Sequence, residues 1–197
     1  MIRSILRLCV VALTLSPIAA SAHVGVGDGH GFMNGFSHPL SGSDHILAML
    51  AVGLFAAHLG GRALWLVPVT FVSIMALAGI AGAAGVKLPF VEFGIGMSVV
   101  VLSLAVAFQF NVPTIIAMAI VGFFAIFHGH AHGAEMPESA SGFAYGVGFI
   151  CGTALLHAAG IGLGLAAGHA GKVYGRRIVQ IGGGTMAIGG VAILVFS

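Results

Sequence analysis

Charged residues are scarce in this sequence. Only 6% of its 197 residues are Asp, Glu, Lys or Arg, whereas 59% are apolar. Soluble domains carry about a quarter charged residues, so the composition excludes an ordinary soluble fold. The seven basic residues nearly balance the five acidic ones and form no long basic run, so we expect no nucleic-acid partner. The composition predicts an integral membrane protein surrounded by the lipid bilayer.

Cysteine is nearly absent as well. Of the two cysteines, Cys9 lies in the N-terminal segment and Cys151 lies inside an apolar stretch. This excludes a disulfide framework and a cysteine-based zinc site. Any metal site must therefore use His, carboxylate, Met or backbone ligands. A phosphate-binding loop of the G-x-x-x-x-G-K-[ST] type is also absent, so a transport activity would draw on a gradient, the membrane potential or a partner.

The N-terminal segment, residues 1–22, is typical of a secretory signal peptide. Arg3 and Arg7 precede a short apolar run, and Ala20-Ser21-Ala22 forms a small-residue cleavage site. The apolar run is shorter than the ~20 residues that a spanning helix needs. We expect cleavage before His23, with an uncleaved first transmembrane helix as the alternative. His23 and His30 would then lie outside, as further metal ligands or as solvated residues.

The rest of the chain, residues 23–197, is predicted to be one all-α transmembrane domain of six helices. Apolar stretches of about 20 residues identify the spans, at 38–59, 63–84, 89–110, 113–132, 142–168 and 173–196. Many of the 32 glycines recur at small-x-x-x-small spacing, which predicts close helix packing. The loops predicted to be cytoplasmic carry most of the basic residues, so the mature N-terminus is expected outside. Those basic residues are Arg62, Lys172, Arg176 and Arg177.

The first span opens with ionisable residues in an unfavourable place. With Pro39 near the first helical position, His38 and His45 are seven residues apart and are expected to share a helix face. Asp44 flanks that face and would bind a cation or orient an imidazole. Met49 lies one turn beyond His45. A carboxylate at this depth normally marks a pathway or a paired site, although a solvated helix start is the alternative.

A second cluster, FHGHAHGAE, ends the fourth span on the same side. If the segment is helical, His128, His132 and Glu135 fall at i, i+4 and i+7 on one stripe, while His130 points away. Two histidines and a carboxylate in this arrangement are plausible ligands for a transition metal. The alternative is a His-rich loop that binds metal adventitiously.

His157 is predicted to lie deepest of the histidines. It stands about fifteen residues into the fifth span, about 22 Å from the outer end at 1.5 Å per residue. An imidazole there needs a partner or a water-lined path. Glu92, at the outer start of the third span, is either a ligand or an interfacial anchor. His58 and His169 are expected at the opposite, cytoplasmic end.

Four motifs in order resemble the HupE/UreJ family of nickel/cobalt transport proteins: HPLSGSDHILAM, PFVEFGIGMSVV, FHGHAHGAE and GTALLHAAG. The resemblance implies a multi-pass permease of the bacterial inner membrane, with its mature N-terminus in the periplasm and a link to hydrogenase or urease maturation. It points to the metal ligands His38, Asp44, His45, Glu92, His128, His132, Glu135 and His157.

We therefore predict a transporter, not an enzyme, that passes a divalent transition metal from periplasm to cytoplasm. The metal is the substrate, and no permanently bound cofactor is expected. Nickel or cobalt is favoured, with copper and zinc as alternatives, because imidazole and carboxylate bind all four. The same residues are compatible with an intramembrane metal-dependent hydrolase, or with a metal-binding sensor or accessory protein. Oligomeric state is open.

Overall fold

The computed structural model describes residues 31–136, 141–171 and 173–196, and within these ranges it is all helical. This confirms the all-α prediction. The predicted signal peptide, His23 and His30 lie outside the described residues. Seven helices follow in chain order: α1 (Gly31–Ser41), α2 (Ser43–Leu59), α3 (Ala63–Ala83), α4 (Val91–Ala107), α5 (Thr114–Ala134), α6 (Gly142–His169) and α7 (Tyr174–Phe196).

Four of the described helices are long and apolar enough to cross a membrane: α3, α5, α6 and α7. Helices α1 and α2 together form a fifth candidate span that is bent by 81°. Helix α4 is apolar but has only 17 residues, fewer than the ~20 that usually span a bilayer. The protein is therefore a helical membrane protein with four or five spans by this measure. The six-span count depends on α4 and stays a prediction.

The first span differs from the sequence expectation. The prediction of a single helix from near Pro39 past His45 was wrong, because Pro39 lies inside α1 and the helix breaks at Gly42 before α2 begins. Ser41 Oγ donates a hydrogen bond to the carbonyl of His38 at 2.7 Å, which satisfies an acceptor at the end of α1. Gly42 is extended, and a Cβ there would lie 2.6 Å from an Asp44 carboxylate oxygen. Glycine thus leaves room for the carboxylate at the bend.

Glycines allow α3 and α5 to pack backbone against backbone. A Cβ on Gly129 would overlap the carbonyl oxygen of Met75, and one on Gly133 would overlap that of Gly79. The small-residue spacing therefore has the close-packing role that the sequence predicted. Gly129 directly follows His128, and Gly133 directly follows His132. The contact between α3 and α5 therefore fixes where the two imidazoles lie.

The directions of the helices show which ends of the bundle their termini share. Helices α2 and α6 run in the same direction, since Gly53 approaches His157 and Gly164 approaches Ala57, and α3 and α5 are likewise parallel. The start of α2 and the end of α5 therefore lie at one end, which carries the candidate ligands. The other end carries Arg62, which directly precedes the first residue of α3.

Candidate metal centre

Three buried imidazoles from two helices meet at one end of the bundle. His45 Nε2 lies 3.1 Å from His128 Nδ1 and 2.8 Å from His132 Nε2. Their exposed fractions are 2% for His45, 0% for His128 and 8% for His132. We call these three residues the inner cluster. Histidine side chains are rarely buried together without a shared cation, proton or partner, because unpaired polar groups in a low dielectric are unfavourable.

The proton on His128 can be assigned by counting hydrogen-bond donors. Ser98 Oγ donates to the carbonyl of Ile95 at 2.6 Å and lies 2.7 Å from His128 Nε2. A serine hydroxyl has a single proton, so Ser98 must accept the second bond from His128 Nε2–H. In the neutral imidazole, His128 Nδ1 then carries a lone pair, which faces His45.

Asp44 lies behind His45. Its Oδ2 is 3.7 Å from His45 Nδ1, on the opposite side of the ring from the inner cluster. The negative charge favours the tautomer with its proton on Nδ1, which leaves the Nε2 lone pair directed at the cluster. A carboxylate that orients a histidine in this way is a common feature of metal sites. Asp44 is therefore placed to orient a ligand.

Two nitrogen pairs in the inner cluster have spacings compatible with a shared metal ion. With metal–nitrogen bonds of about 2.0–2.1 Å, two ligand nitrogens lie about 2.9 Å apart at a right angle and about 3.3 Å apart in a tetrahedron. The 2.8 Å pair lies near the right-angle value, and the 3.1 Å pair lies midway between the two values. The right angle is that of octahedral and square-planar ions, which include Ni²⁺ and Cu²⁺, and the wider angle is that of tetrahedral Zn²⁺.

A second ligand group, the outer cluster, lies nearer the end of the bundle. It comprises His38, His132 and Glu135, whose ligand atoms all lie within 4.8 Å of one another. Glu135 Oε2 is 4.0 Å from both His38 Nε2 and His132 Nδ1. The Glu135 side chain is 58% exposed and follows the last residue of α5. Partial burial raises the pKa of the Glu135 carboxyl, and the negative charge of Glu92 raises it further.

His132 belongs to both clusters. Its Nε2 faces His45, while its Nδ1 faces Glu135 and has no hydrogen-bond partner among the described residues. Phe149 packs against this imidazole with ring centroids 4.5 Å apart and also contacts the rings of His38 and His45. The aromatic wall holds His132 where one ring nitrogen serves each cluster.

His157 lies apart from both clusters, inside the bundle. It is 1% exposed, and neither ring nitrogen has a hydrogen-bond partner in the described part of the chain. Phe71 packs against it, with ring centroids 5.2 Å apart, and against His128, with centroids 5.7 Å apart. A single buried aromatic ring thus touches both imidazoles.

Other sequence candidates are not brought into the clusters. Glu92 is exposed in the first turn of α4. His130 Nε2 donates to the carbonyl of Val86 at 2.6 Å, which ties α5 to the loop after α3. At the other end of the bundle, the Nδ1–H of His169 bonds the carbonyl of Leu165 on its own helix. Met49 is fully buried within the apolar core.

A cavity of about 420 Å³ opens beside His132, between α3, α5 and α6. Its walls are apolar and include Met75, Phe149 and Ile150. Such walls offer almost no ligands to replace the water around an ion. The connected imidazoles, and not this cavity, are the arrangement that suits a metal.

Sequence reasoning missed two residues of the site, Ser98 and Phe71. Ser98 stands within the quoted motif PFVEFGIGMSVV, but one hydroxyl in an apolar helix gives no signal of its own. Phe71 lies in an apolar run of α3 without any motif. Their roles depend on contacts between helices, which local spacing does not encode.

Fold and site together define a class: a helical membrane protein with a buried histidine cluster, flanked by carboxylates, at one end of its bundle. The family model described as "HupE / UreJ protein" matches residues 11–193. The chain is also 47% identical to Protein HupE of Rhizobium leguminosarum bv. viciae over 180 residues, which cover 91% of this chain and 92% of that protein. The chain therefore belongs to the HupE/UreJ family. No solved structure matches it.

Proposed function

We propose that this protein is a permease that carries a divalent transition metal across the bacterial inner membrane, from periplasm to cytoplasm. The observation that carries the proposal is the position of His132, whose two ring nitrogens face two different ligand clusters. A residue shared in this way lets an ion pass from one ligand set to the next without returning to water.

Capture would take place at the outer cluster. His38 and Glu135 are partly exposed there, so a hydrated ion can reach them. The carboxylate attracts the cation, and two imidazole nitrogens replace part of its water shell. Borderline ions such as Ni²⁺, Co²⁺, Cu²⁺ and Zn²⁺ accept this mixture of nitrogen and oxygen ligands.

Transfer would follow through His132 into the inner cluster. There the ion meets three buried nitrogens, and Asp44 supplies a nearby negative charge that offsets part of the ion's charge. Loss of the remaining water is compensated by nitrogen ligands and by that carboxylate. We infer that the inner cluster is the tighter of the two sites, because its donors are already desolvated.

Passage deeper into the bundle would lead to His157. Its unpartnered nitrogens are the next donors beyond His128, with the Phe71 ring in contact with both residues. Movement of that ring would open the step between the two imidazoles. The six-span arrangement, a cleaved signal peptide and a periplasmic N-terminus complete the proposal, and nickel or cobalt for hydrogenase or urease is the favoured cargo.

Flux into liposomes tests the proposal. Purified protein is reconstituted, Ni²⁺, Co²⁺, Cu²⁺ and Zn²⁺ are added outside in turn, and entry is followed with an internal metal indicator under an imposed membrane potential. We expect saturable entry of at least one metal above that of protein-free liposomes. Stoichiometric binding without entry of any metal would contradict transport and favour a sensor or accessory protein. A hydrolase would instead require turnover of a substrate with bound Zn²⁺.

A further inference from the structure

Among the described residues, His128 forms one side-chain hydrogen bond outside the two clusters, and its partner is Ser98. The serine lies on α4, is 0% exposed, and has its Oγ 2.7 Å from His128 Nε2. Since Ser98 donates its only proton to the carbonyl of Ile95, which can only accept, the hydroxyl is left as an acceptor toward His128.

We propose that Ser98 is a positioning residue that fixes the tautomer of His128 and thereby sets the metal affinity of the inner cluster. With Ser98 in place, the proton of the neutral imidazole stays on Nε2 and the Nδ1 lone pair points at His45. This inference rests on the proposed function for its purpose, although the hydrogen bond itself does not depend on transport.

The alternative tautomer shows why this matters. If the proton moved to His128 Nδ1, it would point at His45 Nε2, 3.1 Å away, and the cluster would lose one nitrogen donor. Water cannot take the place of the hydroxyl easily, because both Ser98 and His128 are 0% exposed. Residues that orient a metal ligand in this way typically contribute about 10–100-fold to metal affinity.

The same helix offers a matched control. Ser103 also lies on α4 and is 0% exposed, but its Oγ has no hydrogen-bond partner in the described part of the chain. Ser103→Ala and Ser98→Ala remove the same atom from equally buried positions. Only the second removes an acceptor from His128.

The experiment measures tautomer and affinity together in the full-length protein. ¹⁵N-histidine NMR of the metal-free protein reports which nitrogen of His128 carries the proton, and the His128 signal is assigned by its loss in His128→Gln. Titration with Ni²⁺ and with Co²⁺ gives Kd. Ser98→Thr, which retains the hydroxyl, serves as the rescue variant, and thermal unfolding shows whether each variant is folded.

We expect the Nε2–H tautomer of His128 in the wild type and in Ser98→Thr. Ser98→Ala should weaken metal binding by about 10–100-fold, while Ser103→Ala leaves Kd within about threefold. A wild-type His128 protonated on Nδ1, or a Ser98→Ala variant with unchanged Kd, would overturn the inference. If the expected tautomer and the expected changes in Kd are observed in a protein that shows no metal flux, the transport proposal alone is contradicted.

Discussion

The Nε2 atoms of His45 and His132 lie 2.8 Å apart, although the two residues are 87 positions apart in the chain. One stands in the first turn of α2 and the other in the last turn of α5. The close approach of these two helix ends places His132 between an exposed ligand group and a buried one. The chemistry of the site follows from this shared imidazole.

Substitutions in the two clusters should have different effects on the KM of uptake and on the Kd of metal binding. His38→Ala removes a ligand from the outer cluster only, so we expect KM for Ni²⁺ uptake to rise by about 10-fold or more while tight equilibrium binding is retained. His45→Ala removes the centre of the inner cluster and should abolish tight binding. Flux assays and equilibrium titration on both variants check this. Equal effects of the two substitutions on Kd would show that there is a single site.

Uptake should weaken in acid. Imidazole binds metal only when neutral, so protonation competes with the metal as the solution is acidified. Burial and Glu92 raise the pKa of Glu135, so its carboxylate is lost at a higher pH than that of an ordinary glutamate as the solution is acidified. Both changes act in the same direction.

Glu135→Gln separates these contributions. We expect a higher KM at neutral pH, because the outer cluster lacks its anion, and an acid limb that reflects imidazoles alone. Initial rates of metal entry from about pH 7.5 to about pH 5, with the internal pH clamped, provide the measurement. Equal pH profiles for the wild type and Glu135→Gln would contradict a role for the Glu135 carboxylate in capture.

His157→Leu should distinguish a transit ligand from a structural histidine. Both ring nitrogens of His157 are buried without a hydrogen-bond partner among the described residues. Burying an unsatisfied polar atom costs about 1–3 kcal/mol, so an apolar side chain of similar size should leave stability unchanged or raise it. We expect normal metal binding at the inner cluster and loss of flux. A marked fall in Tm, or normal flux, would contradict a transit role.

Helix packing can be tested with a glycine pair. A Cβ on Gly133 would overlap the carbonyl oxygen of Gly79, whereas a Cβ on Gly162 would meet no atom of another helix within 4 Å in the described part of the chain. Gly133→Ala should therefore lower the free energy of unfolding by about 1–3 kcal/mol and weaken metal binding. Gly162→Ala should be neutral or slightly stabilising, because alanine favours helix. Thermal unfolding in detergent compares them, and equal Tm values would contradict the packing.

Local spacing predicted part of the site because α5 is helical. His128 and His132, four residues apart, lie on one face that faces the bundle interior, as the spacing indicated. The first span was different, since the helix breaks at Gly42 and the seven-residue spacing of His38 and His45 is not a helical stripe. Packing of α1 against α6 nevertheless brings His38 within 4.7 Å of His132, measured between ring centroids.

Contacts between helices could not be predicted from the sequence. Which imidazole faces which depends on the backbone contacts that Gly129 and Gly133 make with α3, and these depend on how the helices pair. Ser98 and Phe71 are ordinary members of apolar helices until that pairing is known. The role of Ser98 in particular follows from a single hydrogen-bond count in three dimensions.

Metal flux through His132 variants tests the central claim most directly. His132→Gln removes the residue shared by both clusters. His130→Gln changes a neighbouring histidine whose one hydrogen bond among the described residues is to the Val86 carbonyl, and it keeps an amide donor for that bond. Both are reconstituted beside the wild type, and entry of Ni²⁺ is measured under the same membrane potential. We predict near-background entry for His132→Gln and wild-type entry for His130→Gln. Wild-type flux through His132→Gln would contradict a path in which the ion passes between two clusters by way of one imidazole.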